Sequence, residues 1–437
     1  MKKIVLTLAA AVAATAMAPE ASALPAFASQ TGMACAACHF QSYPALTGFG
    51  KAFKTGGYTM MGAQDKVEGE HGLSLPATLN AGVYLQSRYI KTNGAAGGTN
   101  TGRLDVPDEF ALFLAGRVSE NIGAYTEVAL GLGAGTNPSA AGFQGLKTPF
   151  VFDVADGKLM VVPFTVNGLG AGFGYDTFAT GSNAAGRVTE NGGGYSAAMK
   201  LGTNAAASGV TVGYAADLFH VTYTPYAAGF NVSNGGAATA TSLGGTYIRA
   251  ALTPTVGAWD LGVGIQNWSG NASRGVQVAG VGVAATDDKA TVIDFQGQGE
   301  VAGMPLGVYG SYGWAPAAAV AGPLNSFNAG TLRASHFGIL GDLWVMPGTL
   351  GVQLGMTRSN SGFADAAGGN MTDNSYTLGL RYKLRQNVKL GLAYTKSSGS
   401  VYDAANAAAA ALYAGQNALR GAGTGNSLTT FILSMGW

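Results

Sequence analysis

The sequence predicts a mainly β chain: an outer-membrane antiparallel β-barrel of about 16 strands, with a small N-terminal segment expected to plug the lumen. Three observations predict it. Apolar and polar residues alternate at a period of two in many segments, glycine-rich tracts separate these segments, and the chain ends on an aromatic residue, Trp437. The composition agrees, since 47% of the residues are hydrophobic and only 11% are charged. After the first residues, no uncharged apolar run reaches the length of a membrane-spanning helix.

Residues 1–23 have the pattern of a secretory signal peptide, with lysines after Met1, an apolar run from Ile4 to Ala18 and small residues at Ala21 to Ala23. The apolar run is shorter than the ~20 residues that cross a bilayer, which disfavours a membrane anchor. We therefore expect export and cleavage after Ala23. The mature chain is expected to divide into an N-terminal segment, residues 24–74, and a barrel, residues 75–437.

The alternation is clear in LNAGVYLQSRYI, residues 79–90, where apolar or small residues take every second position and polar residues lie between them. A second example covers residues 293–301. There Ile293, Phe295 and Val301 share one face of a predicted strand, and the other face carries a polar row, Asp294, Gln296, Gln298 and Glu300. We expect this polar row to face water in the lumen.

The C-terminal segment SLTTFILSMGW places Phe431, Leu433, Met435 and Trp437 on one face. It resembles the C-terminal signal strand by which outer-membrane proteins are recognised for assembly. Short turns and long loops rich in Gly, Ala, Ser, Thr and Asn alternate between the predicted strands, as in such barrels. At ~9 to 11 residues a strand, the segment after residue 75 has room for roughly 16 strands, with 14 or 18 as the alternatives.

The chemistry lies near the start, where the only cysteines of the chain form the motif Cys35-Ala-Ala-Cys38-His39. In C-x-x-C-H, the thiols add to the vinyl groups of haem, and the histidine ligates the iron. A thioredoxin-like redox pair is the alternative, but it requires a βαβ context that the neighbouring sequence does not provide. The motif therefore predicts one covalently bound haem c, with Cys35 and Cys38 as attachment residues and His39 as an axial ligand.

Several residues could supply the second axial ligand. Met60, Met61 and His71 follow the motif within the N-terminal segment, and Met33 precedes it. We prefer Met60 or Met61. A thioether ligand raises the reduction potential relative to a second imidazole, so this choice affects which donors the haem can oxidise.

Two histidines in the predicted barrel, His220 and His336, are expected to face the lumen, where they could line an electron path or form hydrogen bonds. Carboxylates are sparse in the loops and form no obvious iron site. The glycine-rich GLGAGFG around Gly168 lacks the strand-to-helix context of a nucleotide-binding loop, so we interpret it as barrel strand or loop. A net charge of +1 without a basic patch gives no indication of nucleic-acid binding.

The segment LPAFASQTGMACAACHFQSYPALTGFGKAFKTGGYT, from Leu24 to Thr59, resembles the cytochrome part of the fused monohaem cytochrome-porins, outer-membrane iron oxidases of Fe(II)-oxidising bacteria. The shared features are PAFA, QTGM, C-x-x-C-H, a proline soon after it, FGKAFK and GY. The barrel half matches by architecture and not by motif. The resemblance implies oxidation of extracellular Fe(II) by a haem in the barrel lumen or on its periplasmic side, with electrons passed to a periplasmic c-type cytochrome or another carrier.

Two alternatives stay open at this point. The first keeps the haem and the barrel but replaces Fe(II) by another extracellular donor. The second is a general diffusion porin in which the haem segment is structural or regulatory. In each case the barrel would be surrounded by outer-membrane lipid.

Overall fold

The computed structural model describes residues 25–94, 100–129, 142–181, 195–229, 242–272, 277–278, 282–283, 286–318, 324–414 and 425–437. The predicted signal peptide, residues 1–23, lies outside the described residues. Two short strands, β1 (Lys66–Glu68) and β2 (Ser74–Pro76), form an exposed hairpin before the barrel. The predicted boundary between residues 74 and 75 falls in this hairpin, and the first barrel strand begins at Ala81.

The barrel is closed and antiparallel, because the last strand pairs with the first, Leu428 opposite Thr92. Its strands are β3 (Ala81–Thr92), β4 (Arg103–Arg117), β5 (Gly123–Ala129), β6 (Gly142–Lys147), β7 (Phe150–Val154), β8 (Gly157–Val166), β9 (Ala207–Ala216), β10 (Phe219–Ala228), β11 (Gly245–Leu252), β12 (Thr255–Val256), β13 (Trp259–Gly270), β17 (Ala290–Val301), β18 (Met304–Ala315), β20 (Ala334–Met346), β21 (Leu350–Ala364), β22 (Asn370–Arg385), β23 (Val388–Ser398) and β24 (Ser427–Gly436). Short strands lie in the loops: β14 (Gln277–Val278), β15 (Gly282–Val283), β16 (Thr286–Asp287) and β19 (Leu324–Asn325).

The barrel has 16 strands, as the sequence predicts. Both β6 and β7 pair with β8 and together make one interrupted strand. In the same way β11 and β12 both pair with β13. An even number of strands lets the last strand meet the first in an antiparallel pair, which removes every free edge.

The predicted alternation of faces is confirmed. On β17, Ile293 and Phe295 are 47% and 37% exposed on the outside, whereas Asp294 between them is fully buried on the inside. On β22, Tyr376, Leu378 and Leu380 are exposed on the outside in the same way. An apolar outer face is what a barrel needs in order to contact lipid.

The two ends of the barrel differ. Short connections lie at one end, the turn end, at residues 155–156, 217–218, 302–303 and 386–387. Most of the long connections lie at the other end, the loop end, including residues 167–206 and 399–426. In outer-membrane barrels the short turns are periplasmic and the long loops extracellular.

The N-terminal segment lies inside the barrel near the turn end. We call residues 25–64 the plug. It contains α1 (Pro25–Thr31), α2 (Cys35–Cys38) and α3 (Gly48–Thr55). The plug contacts several walls: Gln30 accepts a hydrogen bond from Asn80, Lys51 pairs with Asp260, and Gln41 accepts from the backbone of Gly348. No helix among the described residues is both long and apolar enough to cross a membrane.

A second layer fills the lumen above the plug. It is formed by the described parts of the β8–β9 connection, residues 167–181 and 195–206, which we call the internal segment. This segment contains a 3₁₀ turn (Ala171–Phe173) and α4 (Ala197–Lys200). It contacts several parts of the wall, since Thr180 bonds to Asp294 of β17 and Lys200 pairs with Asp373 of β22. The loop end also carries α5 (Ala407–Ala414) and 3₁₀ turns at Ser400–Tyr402 and Ala404–Asn406, and the 3₁₀ turn Glu70–Gly72 lies in the β1–β2 hairpin.

The internal segment corrects one expectation. The sequence predicts that Asp294, Gln296, Gln298 and Glu300 face water. Glu300 is exposed, but each of the other three is at most 3% exposed. Thr180 Oγ1 donates to Asp294 at 2.7 Å, and Ala179 N donates to Gln296 at 3.0 Å. Polar residues on an inner face require hydrogen bonds, and here protein groups supply them.

Candidate functional site

The C-x-x-C-H motif, residues 35–39, forms one helical turn. Cys35 and Cys38 are the first and last residues of α2, so their i and i+3 side chains lie on the same face. His39 follows directly and closes the turn, because its N–H donates to Cys35 O at 2.8 Å. A four-residue helix is therefore enough to bring all three residues of the motif together.

The turn is held against α3 by backbone contacts. Thr47 is the N-cap of α3, where its Oγ1 accepts from Gly50 N at 3.1 Å and donates to Ala37 O at 2.7 Å. A Cβ on Gly50 would lie 2.0 Å from Cys38 O, so only glycine permits this close approach of α2 and α3. The position of the cysteines thus depends on residues downstream of the motif.

Cys35, Cys38 and His39 line one cavity of about 450 Å³ inside the barrel. The plug contributes one side of this cavity, β3 to β6 and the β22–β23 turn contribute the walls, and the internal segment lies above. The aromatic lining includes Phe27, Tyr58, Phe113, Tyr125 and Phe173. Within the plug, Phe27 packs edge-on against Phe53 and stacks on Tyr58, at centroid distances of 5.1 and 4.9 Å.

The imidazole of His39 is neutral at neutral pH. Burial and, to a smaller extent, the ammonium group of Lys389 lower the pKa of His39 to about 4, against the opposite effect of the backbone of Ala45 and Pro44. Nδ1 is buried and has no well-formed hydrogen bond among the described residues. The ring of Tyr43 lies 5.5 Å away, edge-on. A neutral imidazole is the form that binds a metal ion.

The thiols lie close to the turn end. Both cysteines are free, and Cys35 Sγ donates to Gln386 O in the β22–β23 turn at 3.6 Å. Burial raises the pKa of Cys35, and the ammonium groups of Lys389 and Lys383 partly oppose this. Burial also raises the pKa of Cys38. At neutral pH both groups are thiols, so without a reaction partner they are protonated and weakly nucleophilic.

The preferred distal ligands lie elsewhere. Met60 is 41% exposed, and neither Met60, Met61 nor His71 lines the cavity. His71 lies in the exposed hairpin with a left-handed backbone, φ 58°. Met33 does line the cavity. The structure therefore brings Met33 to the motif and leaves the other three candidates outside it.

His220 and His336 both face the inside of the barrel. His220 packs edge-on against Tyr175 and Phe178 of the internal segment, at 5.3 and 5.9 Å. His336 Nδ1 lies 2.7 Å from Ser359 Oγ on the neighbouring strand. Neither histidine lines the cavity that contains the C-x-x-C-H motif.

Sequence reasoning missed the charged groups at the upper end of this cavity. Lys54 of α3 and Lys147 of β6 line it, and Asp176 of the internal segment lies between them. The strand pattern places Lys147 on an inward face, but it does not show that Lys54 and Asp176 lie near it. Within the described ranges, no group of three or more His, Cys, Asp and Glu residues could hold a metal ion.

With the geometry established, the chain can be compared with known proteins. No family model and no curated protein sequence matches it. Among solved structures, OprB of Pseudomonas putida is similar with a TM-score of 0.52 and 10% identity, over 82% of this chain and 93% of OprB. The chain has the porin fold. The outer membrane channel DcaP of Acinetobacter baumannii gives a TM-score of 0.48 at 10% identity, covering 85% of this chain and 99% of DcaP. An anion-selective porin from Comamonas acidovorans gives 0.47 at 13% identity, covering 82% of this chain and 99% of that porin.

Proposed function

We propose that this chain is an outer-membrane electron-transfer protein that carries one haem c inside its barrel and accepts electrons from extracellular Fe(II). The observation that carries the proposal is that Cys35, Cys38 and His39, which have the spacing of a haem c attachment site, line one cavity in the lumen. The porin fold alone does not require this motif or this cavity.

The residues of the cavity fit a covalently attached haem. Cys35 and Cys38 are free thiols on one face of α2, and His39 is a buried neutral imidazole beside them. The cavity, about 450 Å³, has the ~300–1,000 Å³ size of a cofactor pocket. Cys35 and Cys38 would hold the haem through thioethers, and His39 would ligate its iron. When bound, the haem supplies one-electron redox chemistry, which matches the change from Fe(II) to Fe(III).

The barrel and the plug give this site a position that suits transfer across the membrane. A hydrocarbon core of ~30 Å prevents electrons from crossing lipid at a useful rate. The plug lies near the turn end, the periplasmic end in barrels of this class, where a soluble carrier could approach. The aromatic side chains of Phe27, Phe53 and Tyr58 exclude water from one side of the cavity. Lys51, through its pair with Asp260, fixes the plug to the wall.

Fe(II) as the donor rests on the resemblance of residues 24–59 to the cytochrome-porins. The test is stopped-flow spectroscopy of the oxidised, detergent-solubilised protein, mixed anaerobically with Fe(II) while the haem bands are followed. Rapid reduction by Fe(II) would support the proposal. If the haem is reduced by dithionite but not by Fe(II), the protein is a haem-barrel conduit for a different extracellular donor.

The fold favours a second candidate, a general diffusion porin with a structural haem segment, because OprB shares the barrel architecture. The plug and the internal segment argue for restricted diffusion, since both lie in the lumen and each bonds to more than one part of the wall. Liposome swelling distinguishes the two candidates. Rapid swelling in sugars, together with no reduction by Fe(II), would favour the porin.

A further inference from the structure

Two lysines line the upper end of the haem cavity. Lys54 reaches it from the plug and Lys147 from the barrel wall. Lys147 is only 5% exposed, and its Nζ donates to Phe173 O of the internal segment at 3.0 Å. Lys54 Nζ donates to the backbone carbonyl of Asp176, which belongs to the same segment. Both ammonium groups therefore end on backbone carbonyls of the same segment.

Among the described residues, no carboxylate forms an ion pair with either ammonium group. Arg249 forms a two-pronged pair with Asp294, Nη1 to Oδ1 2.6 Å and Nη2 to Oδ2 2.9 Å, and its Nε lies 3.6 Å from Asp176. Arg249 and Asp294 neutralise each other, and among the described residues Asp176 is the carboxylate that acts on both Lys54 and Lys147. Glu109 and Glu127 also line the cavity, but each already has interactions of its own. A buried cation without a matching anion is costly, so this arrangement suits an anionic ligand.

A haem c held by Cys35 and Cys38 would bring such an anion into the cavity. The vinyl groups that react with cysteines lie on one half of the porphyrin, and the propionate carboxylates lie on the other half. Cys35 lies against the β22–β23 turn, so the carboxylate half would point away from this turn. Lys383 and Lys389 influence Cys35 and belong to the thioether end. Lys54 and Lys147, which bond to the internal segment, belong to the other end.

We propose that Lys54 and Lys147 together bind a propionate carboxylate of the haem held by Cys35 and Cys38. This inference rests on the proposed function and adds a role for the carboxylate, because one lysine belongs to the plug and the other to the wall. The bound carboxylate would then tie the plug to the barrel. It would also be kept ionised, since adjacent ammonium groups favour the charged form.

The test is the midpoint reduction potential of the haem, measured by spectroelectrochemical titration across the acid and neutral pH range. The variants are Lys54→Met and Lys147→Met, with Lys54→Arg and Lys147→Arg as charge-retaining forms. Lys383→Met is the matched control, since it removes a lysine from the thioether end of the same cavity. Covalent haem content is measured for each protein first. One Met variant that retains its haem is sufficient for the titration.

In the Met variants, we expect a lower midpoint potential, because loss of a nearby cation stabilises the oxidised haem. We also expect the potential to become pH-dependent, because the propionate pKa rises into the measured range when its ammonium partner is lost. The Arg variants should behave like the unchanged protein, and Lys383→Met should gain no pH dependence.

A pH profile in every haem-loaded Met variant identical to that of the unchanged protein would overturn this inference alone, because the haem would still be present and still be reduced by Fe(II). Absence of covalent haem from the unchanged protein would instead overturn the proposed function, and this inference with it.

Discussion

Lys51 of the plug and Asp260 of the barrel wall form an ion pair, with Nζ 2.8 Å from Oδ2. The side chains are 10% and 23% exposed, so solvent screens this pair less than it screens a surface pair. Asp260 lies at the start of β13 next to the turn end, and Lys51 lies in the middle of α3. The pair therefore connects the helix that supports the cysteines directly to the wall.

The first prediction concerns this pair. Lys51→Met removes a charged hydrogen bond and leaves Asp260 without its partner, which should lower the opening free energy of the plug by about 1–3 kcal/mol. Hydrogen exchange of the plug amides measures this free energy. Lys66→Met is the control, because the Lys66–Glu68 pair is 40% and 60% exposed and should contribute at most ~1 kcal/mol. Equal effects of the two substitutions would contradict a role for Lys51 in fixing the plug.

The second prediction concerns Arg249, which is fully buried between Asp294 and Asp176. Arg249→Met leaves these carboxylates buried and uncompensated, and breaking a buried pair in this way costs about 3–5 kcal/mol. We expect earlier unfolding in denaturant and faster proteolysis of the internal segment.

The double substitution Arg249→Met with Asp294→Asn should recover part of the lost stability, because it removes one of the unpaired charges. A control at an exposed pair, Lys158→Met beside Asp153, should have little effect. If Arg249→Met unfolds at the same denaturant concentration as this control, the pair does not hold the internal segment.

The barrel could be predicted because lipid imposes a simple pattern on every strand. Ile293 and Phe295 point outward, and Asp294 between them points inward, so a period of two is visible in the sequence alone. The motif of Cys35, Cys38 and His39 could also be found, because its residues are contiguous. What fills the lumen could not be found, since the pairing of Arg249 with Asp176 and of Lys200 with Asp373 joins residues far apart in the chain.

The glycine-rich stretch around Gly168 illustrates the difference. The sequence predicts a barrel strand or loop here, whereas the structure shows a connection that turns into the lumen. A Cβ on Gly174 would lie 2.1 Å from Thr211 Oγ1 on β9, so the glycine allows the segment to pack tightly against the wall. Nothing in the composition distinguishes such a segment from an external loop of the same residues.

The third prediction concerns haem attachment. The double substitution Cys35→Ala with Cys38→Ala removes both thioether bonds and should abolish haem that survives denaturing electrophoresis. The barrel should still form, because among the described residues the thiols make one hydrogen bond to the wall, Cys35 to Gln386 O, and lie outside its strands. Peroxidase staining of the gel and heat modifiability of the barrel measure the two results separately. Normal Fe(II) oxidation by this variant would refute the proposed function.

The fourth prediction separates the candidate distal ligands. Met33 lines the cavity, whereas Met60 and Met61 do not. We therefore expect Met33→Leu to change the haem absorption spectrum and to lower the midpoint potential, because loss of a thioether ligand removes its stabilisation of reduced iron. Met60→Leu and Met61→Leu serve as matched controls and should leave both the spectrum and the potential unchanged.

A change in either control instead would mean that residues 59–62 enter the cavity when haem is attached, as the sequence pattern predicts. The backbone of Met60 accepts a hydrogen bond from Gln30 at 2.7 Å, so that movement would have to break this contact. Substitution of Gln30 would then increase the effect.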